Sequence, residues 1–447
     1  MVYPIIVQKT YRRSVRGIGM KRKADMSTAV STRSEDRTLR QNADAVAKPE
    51  LTRALLLTMA VACGLGIANL YYNQPLLPQI ARSLHATVRQ VGSLPMLAQV
   101  GFGIGVFFIA PLGDLLERRR LILTMLALVT LSTVAAAFAP NLMCLAVASF
   151  AIGITSVIST LVLPFAVALA RPEERGRTVG TIASALLIGV LLSRTLSGVV
   201  GQMWGWRVMY GIAGGLMIGL VLLMRALLPR SRSSAVMSYR KLLVSMFTLF
   251  RQEPILREAT VNGMLCYGAL SAFWATLVFF VESPLYGYGA AVAGMFGLVA
   301  ALGAMAAPLI GRLTDRRSPR LIVGWAVSLM LLGFAELWCA GGHLWGLIVG
   351  VILLDLAAQC ATISNQVSVY SLAPEAQSRL YTVYRAAYSL GGALGAFLGV
   401  YAWSLFQWNG VCAVGCTLLG LALLFHRHAQ RTQRNRTPEM SDDMVSG

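Results

Sequence analysis

Ala110-Pro-Leu-Gly-Asp-Leu-Leu-Glu-Arg-Arg-Arg120 is a polar break between two long apolar runs, with one acid, Asp114, followed by a basic cluster. The pattern returns about 200 residues later as Gly311-Arg-Leu-Thr-Asp-Arg-Arg-Ser-Pro-Arg320, where Asp315 answers Asp114. Pro172-Glu-Glu-Arg-Gly-Arg177 and Pro374-Glu-Ala-Gln-Ser-Arg379 stand at nearly the same separation. So do Gly189 with Gly391, and Trp206 with Trp408. The chain reads as two halves grown from one duplicated unit.

What those halves live in follows from composition. Of 447 residues 56% are hydrophobic and only 13% charged, and mean hydropathy is +0.64. A soluble domain carries about 25% charged residues. So few charges cannot cover a water-facing surface, and the chain is expected to be an all-α integral membrane protein. In hydrocarbon the backbone must satisfy its own hydrogen bonds, so the apolar runs are helices. A barrel would need alternating segments of about 10 residues, whereas these runs stay apolar over about 20. Twelve spans are expected, at 53–77, 88–112, 120–139, 142–168, 177–201, 206–228, 256–281, 288–311, 320–340, 344–370, 378–404 and 409–427.

The tails and the middle loop complete the organisation. Residues 1–50 read as a disordered basic tail and 428–447 as a second tail. The first six spans form a bundle over 51–228 and the last six another over 256–427. The loop 229–255 joins them, and Tyr239 to Arg251 carries basic and apolar residues at helical spacing, as in a helix lying on a membrane surface. Nearly all of the 39 Lys and Arg fall in the tails and even-numbered loops, while the opposite side holds only Arg82, Arg89 and Arg207. The positive-inside rule then puts both termini in the cytoplasm. The net charge of +20 therefore marks topology rather than a nucleic-acid surface. The seven cysteines are scattered, mostly within apolar runs, in neither metal-site nor disulfide spacing.

At this point the loop motifs resemble those of the major facilitator superfamily. That family's signature is Gly-x-Leu-x-Asp-(Arg/Lys)-x-Gly-Arg-(Arg/Lys). The first copy keeps Leu112, Asp114, Arg118 and Arg119, and departs at Ala110, Leu115 and Glu117. The second keeps Gly311, Leu313, Asp315, Arg316 and Arg320. The resemblance implies a fold of two pseudo-symmetric six-helix bundles, and a gating role for Asp114, Arg118, Arg119, Gly311, Asp315 and Arg316. It also places Asp114 against the start of the eleventh span, near Arg379. Gly189-Val-Leu-Leu-Ser-Arg-Thr-Leu-Ser-Gly198 resembles the family's antiporter signature, with Ser193, Arg194 and Ser197 in place of Gly, Pro and Gly. Together with Tyr71-Tyr-Asn-Gln-Pro-Leu-Leu-Pro78 and Phe273-Trp-Ala-Thr276, it is similar to the bacterial drug and sugar efflux branch.

Individual polar residues in the spans then carry the chemistry. A charge at mid-span costs about 2.5–3.5 kcal/mol on insertion scales and faces a cavity or a partner, so Arg194 is either an anion-binding or gating group or half of a structural pair. Asp355, Gln359, Thr362 and Gln366 share one stripe of the tenth span. Asp355 is the candidate coupling carboxylate, with helix–helix bonding, or a pair with Arg194 or Arg385, as the alternatives. In the family fold the first, fourth, seventh and tenth spans line the cavity. By that analogy Asn73, Gln74, Asn262, Trp274, Gln359 and Gln366, with Arg194, are substrate-site candidates. Gly189 and Gly198, and the Gly391, Gly395, Gly399 face, are read as close helix packing.

Enzyme signatures fail: Gly101-Phe-Gly-Ile-Gly105 lies inside an apolar run, no HExxH, GxSxG or Walker lysine occurs, and the four histidines lie at helix ends or in tails. The expected activity is secondary transport of a small solute, drug-like or sugar, as efflux in exchange for protons. An importer or facilitator of an organic anion is the alternative, and a membrane receptor or intramembrane enzyme a distant one. The expected partners are the small-molecule substrate, protons and the lipid bilayer, with no cofactor, metal or nucleic acid, for a monomer in a bacterial inner membrane.

Overall fold

The computed structural model describes residues 51–230, 238–304, 318–373 and 376–442. The basic tail 1–50 and the second motif copy with Gly311, Asp315 and Arg316 lie outside them. Every regular element among the described residues is helical. In chain order these are α1 (Arg53–Ala68), α2 (Leu77–Ser83), α3 (Val88–Val91), α4 (Ser93–Ile109), α5 (Leu112–Leu115), α6 (Arg118–Ala137), α7 (Leu142–Thr155), α8 (Ile158–Leu169), α9 (Arg175–Trp204), α10 (Trp206–Leu227), α11 (Tyr239–Gln252), α12 (Pro254–Val281), α13 (Ala290–Ala304), α14 (Pro319–Ala340), α15 (Leu344–Tyr370) and α16 (Gln377–Asp442). Nine helices among the described residues are long and apolar enough to cross a membrane. The apolar α1 and α13 are shorter, and α16 joins two helices across a kink at Gln407. That inventory is consistent with twelve spans.

Side-chain caps set several of the boundaries. Thr52 accepts from the Leu55 N–H at the start of α1, and Asn141 accepts from the Cys144 N–H at the start of α7. Thr87 and Gln90 close a reciprocal capping box over α3. Gly205 turns the chain from α9 into α10 with φ of +88°, where a side chain would be strained. Gln407 makes the corresponding turn inside α16 with φ of +53°. The two turns immediately precede Trp206 and Trp408, so the repeat seen in the sequence recurs in the backbone.

Three spans depart from the expected continuous helices. The first breaks after Ala68 and resumes through a 3-10 turn, Gln74–Leu76, into α2. Asn69, Asn73 and Pro75 sit in that break, where side-chain amides compete for backbone groups and proline supplies no N–H. The fourth span divides between α7 and α8, and Pro164 lies inside α8. The last runs on helically to Asp442 rather than ending near 427. The surface helix expected from Tyr239 is present as α11. It buries Met246 among Leu256, Val369, Leu380 and Tyr384 while Arg240, Lys241 and Arg251 stay exposed.

The helices meet through small residues, as packing without a hydrophobic drive in lipid requires. A Cβ at Gly189 would strike the Gly64 carbonyl of α1, and one at Gly198 the Ala290 carbonyl of α13. On α16, Gly391 lies against Met264, Gly395 against Gly268 and Gly399 against Ala272, all on α12. These approaches tie α9 to the second half and hold α12 against α16 through the bilayer.

Candidate functional site

The break in the first span ends beside a buried cation. Arg194, on α9, is 6% exposed. Its Nε donates to Gln74 Oε1 at 2.8 Å, and Gln74 opens the 3-10 turn that follows the break. The guanidinium lies 4.0 Å from the Trp274 ring centre and 4.9 Å from that of Tyr71. Aromatic faces attract a cation by about 2 kcal/mol when the contact is desolvated, which offsets part of the burial. Asp355, on α15, stands within electrostatic reach of Arg194. Thus the first half contributes the break after α1 and helix α9 to this cluster, and the second half α12 and α15.

A hydroxyl network continues from it. Tyr71 and Tyr267 hydroxyls lie 2.9 Å apart, and Gln99 Nε2 donates to Tyr267 Oη at 2.8 Å. The Tyr267 ring stacks on Tyr388 at 4.1 Å, and Tyr388 Oη lies 3.4 Å from Thr362 Oγ1. Arg385, half-buried on α16, sits 5.1 Å from the Tyr388 ring centre and 5.5 Å from that of Phe102. The cluster and its hydroxyl network therefore hold two guanidinium groups, the Asp355 carboxylate and a wall of tyrosine and tryptophan.

Several of its polar atoms have no close hydrogen-bond partner among the described residues. Asp355 Oδ2, Trp274 Nε1 and Asn73 Oδ1 are buried in this way. A native interior pairs most such atoms; the Trp274 indole donor is directed at the Asp355 carboxylate, and the Asn73 amide oxygen remains as an acceptor. Gln359 and Gln366 are half-buried on α15, on the stripe with Asp355.

The structure separates Asn262 from this group. Its Nδ2 lies 3.4 Å from Nδ1 of His426, in a second buried cluster. There Glu258 pairs through Oε1 with His426 Nδ1 at 2.9 Å and through Oε2 with Arg320 at 3.0 Å. Gln430 Nε2 is 2.9 Å from the other ring nitrogen of His426. His426, at the end of the expected last span, is therefore a buried group inside α16, 2% exposed. Spacing along one helix reaches Gln430, four residues on, but not Glu258 and Asn262 of α12 or Arg320 of α14, which complete the cluster.

The Asp114 motif also differs from expectation. Asp114 pairs with Arg118 at 3.3 Å, four residues along its own chain, and its carboxylate is half exposed. Arg118 Nε donates to the Gly113 carbonyl at 3.1 Å, and Arg119 Nη2 to the Arg225 carbonyl at 2.7 Å. The motif thus ties α5 to α6 and α6 to α10, not to Arg379 at the start of α16. Among the described residues, polar links between the two bundles run from the middle of the molecule to the other end. Arg82 meets Glu282 at 3.0 Å, Arg89 donates to Ser404 at 2.7 Å, and Gln202 Oε1 accepts from the Ala291 N–H at 2.8 Å.

Comparison with known proteins converges on one family. Residues 55–338 match the Major Facilitator Superfamily. The chain is 36% identical over 383 residues to the uncharacterized transporter YgaY of Escherichia coli O157:H7, covering 85% of this chain and 97% of that one. It is 24% identical over 329 residues to a "Probable sugar efflux transporter" of Helicobacter pylori (strain P12), covering 72% and 82%. A solved bacterial homologue of the human lysosomal transporter Spinster superposes with a TM-score of 0.68 at 16% identity, covering 84% of this chain and 96% of that chain.

Proposed function

Because this chain belongs to the Major Facilitator Superfamily, a family of membrane transporters and not enzymes, we propose that it exports a small amphipathic solute, sugar or drug-like, in exchange for protons. One observation carries the reading. Arg194 is buried against Trp274 and Tyr71, bound to Gln74, with the open carboxylate oxygen of Asp355 in reach. A carboxylate that shares a low-dielectric site with one guanidinium can trade a proton against that pairing. Deprotonated, Asp355 accepts from a solute's hydroxyl groups while Arg194 stays held by Gln74 and the aromatic faces. Protonated, Asp355 loses that acceptor and the solute leaves, so proton and solute occupy the site by turns. The tyrosine and tryptophan walls supply the apolar surface an amphipathic solute needs, and Gln359 and Gln366 supply hydrogen bonds along the same stripe.

The two bundles, 51–228 and 256–427, rock around this group with both termini in the cytoplasm of a bacterial inner membrane. The links Arg82–Glu282 and Arg89–Ser404 support a state shut on the outer side. Asp114, Arg118 and Arg119, with Gly311, Asp315 and Arg316, act at the inner side. The monomer is the working unit.

A second reading has its own support. Arg194 shares the site with Asp355, and a second guanidinium, Arg385, lies over Tyr388 on the adjoining tyrosine wall. That excess of positive charge suits an organic anion. Everted vesicles with a pH gradient reported by a quenched dye test both. Dequenching by sugars or drug-like solutes, absent without the protein, supports proton-linked export. Uptake of a labelled organic anion without dequenching overturns it in favour of the second reading.

A further inference from the structure

Away from the midplane, α6 and α10 enclose a groove of about 530 Å³ at the end of the bundle that carries Asp114. Its head is basic. Arg119 and Arg120 from α6 and Arg225 and Arg230 from the end of α10 line it, against a single acid, Glu117. Among the described residues none of these four arginines is paired with a carboxylate. Arg119 is fixed in place by its bond to the Arg225 carbonyl, one of the last-turn carbonyls that a helix leaves open. That bond engages one N–H and leaves the rest of the fork toward the groove.

Its floor is apolar. Leu123, Ala127 and Leu128 follow Arg120 at helical spacing on α6, and Val221 precedes Arg225 by one turn on α10. The apolar surface runs on along both helices, through Leu131 at 66% exposure and Leu222 at 63%. Thr124, exposed one turn below Arg120, adds a hydroxyl between head and floor. A charged head and an apolar track in line along two spanning helices match one kind of molecule.

We propose that this groove binds an anionic phospholipid, with its phosphate on Arg119, Arg120, Arg225 and Arg230 and an acyl chain along Leu123, Leu128 and Val221. A free phosphate would use the arginines and leave the apolar track unused. A zwitterionic lipid would bring a cation into a site that already holds four. Basic pockets between spanning helices recognise anionic headgroups on these grounds. The site lies on the outer surface of the bundle and does not depend on which solute the midplane carries.

The test uses the full chain, reconstituted in phosphatidylcholine vesicles with and without phosphatidylglycerol, then released and weighed by native mass spectrometry to count retained lipid. Wild type should retain phosphatidylglycerol in preference to phosphatidylcholine. Arg119→Gln/Arg225→Gln should lower that preference by about tenfold or more, since each arginine near the surface strengthens anionic-lipid binding several-fold. Arg120→Gln/Arg230→Gln, which spares the backbone bond, should lower it too and keeps the test open if the first pair folds poorly. Arg240→Gln/Lys241→Gln removes as many charges from exposed α11 and should leave the preference intact. Equal loss in that control would mean diffuse charge rather than a groove site and would overturn the proposal. So would unchanged retention in both groove pairs. Displacement of the lipid by inorganic phosphate alone would likewise reject a lipid site in favour of a bare anion site.

Discussion

The Arg194 guanidinium lies 4.0 Å from the centre of the Trp274 ring, and the indole Nε1 of that ring is buried. One residue thus offers the cation a π face and turns its indole donor toward the Asp355 carboxylate. Trp274→Leu removes both and should raise the concentration for half-maximal transport by about tenfold, from the loss of about 1–2 kcal/mol of cation–π attraction. Trp274→Phe keeps a face and should fall between. Arg194→Lys keeps charge but loses the planar fork held by Gln74, and should transport more slowly than Trp274→Phe. Dose–response of dye dequenching with the solute found active in wild type orders these variants. Unaltered transport by Arg194→Ala would remove Arg194 from the mechanism.

Asp355 is expected to separate coupling from binding. Asp355→Asn cannot gain or lose a proton, so uphill transport driven by a pH gradient should vanish. Exchange of labelled for unlabelled solute should persist, because the amide still fits the site. Counterflow and gradient-driven transport measured on the same vesicles decide it. Full uphill transport would show that the proton travels elsewhere.

The Glu258, His426 and Arg320 cluster should act on stability. Removing one member of a buried ion pair strands its partners and costs about 3–5 kcal/mol. Glu258→Ala should therefore lower the melting temperature in detergent more than His426→Gln, which keeps a side chain able to meet Glu258 Oε1. The comparison is read from thermal unfolding followed by size-exclusion recovery. A larger loss for His426→Gln would mean that the histidine, rather than the acid, centres the cluster.

How much of this was legible in the chain depended on distance along it. Membrane helices were readable because each is a local run of about 20 apolar residues, and the duplication because two motifs recur in order. Arg194 stood out because one charge in an apolar run needs a reason. Its partner Gln74 lies 120 residues away, and Tyr71 meets Tyr267 across 196, pairings that no spacing rule reaches. Asn262, read as a substrate-site candidate, and His426, read as a helix-end histidine, fell to the same limit: α12 and α16 bring them together in a separate cluster. Asp114 was placed near Arg379 by resemblance, yet its carboxylate pairs with Arg118 within its own motif. The break after Ala68 was carried by Asn69, Asn73 and Pro75, a polar stretch in an otherwise continuous apolar pattern.

Helix packing supplies a paired test. A Cβ at Gly395 would fall on the Gly268 carbonyl, while Gly180 has open space around the same position. Gly395→Ala should force α12 and α16 apart, at about 1–3 kcal/mol for overpacking. Gly180→Ala, in an open helical position, should be neutral or slightly stabilising. Melting temperatures of the two variants against wild type provide the check, and equal effects would remove close packing as the reason for glycine at 395.

Arg82 and Glu282 test the rocking of the halves. They pair at 3.0 Å, one from each half, with the arginine side chain 66% exposed and the carboxylate 16%. An exposed pair is worth only about 0–1 kcal/mol, too little to hold a fold but enough to bias two states of similar energy. Charge reversal at one partner, Arg82→Glu, sets two acids against each other and should favour the state open at that end. The double reversal Arg82→Glu/Glu282→Arg restores opposite charges and should return the balance. A single cysteine at position 73, in a background stripped of the native seven, reports it, because Asn73 is 2% exposed in the closed arrangement. Labelling by a membrane-impermeant thiol reagent should rise in the single reversal and fall back in the double. High salt should shrink the difference, since exposed charges are screened within about 10 Å at 0.1 M. If the double reversal labels as fast as the single, the pair does not gate that end, and closure rests on apolar contacts such as Gly92 against Val400.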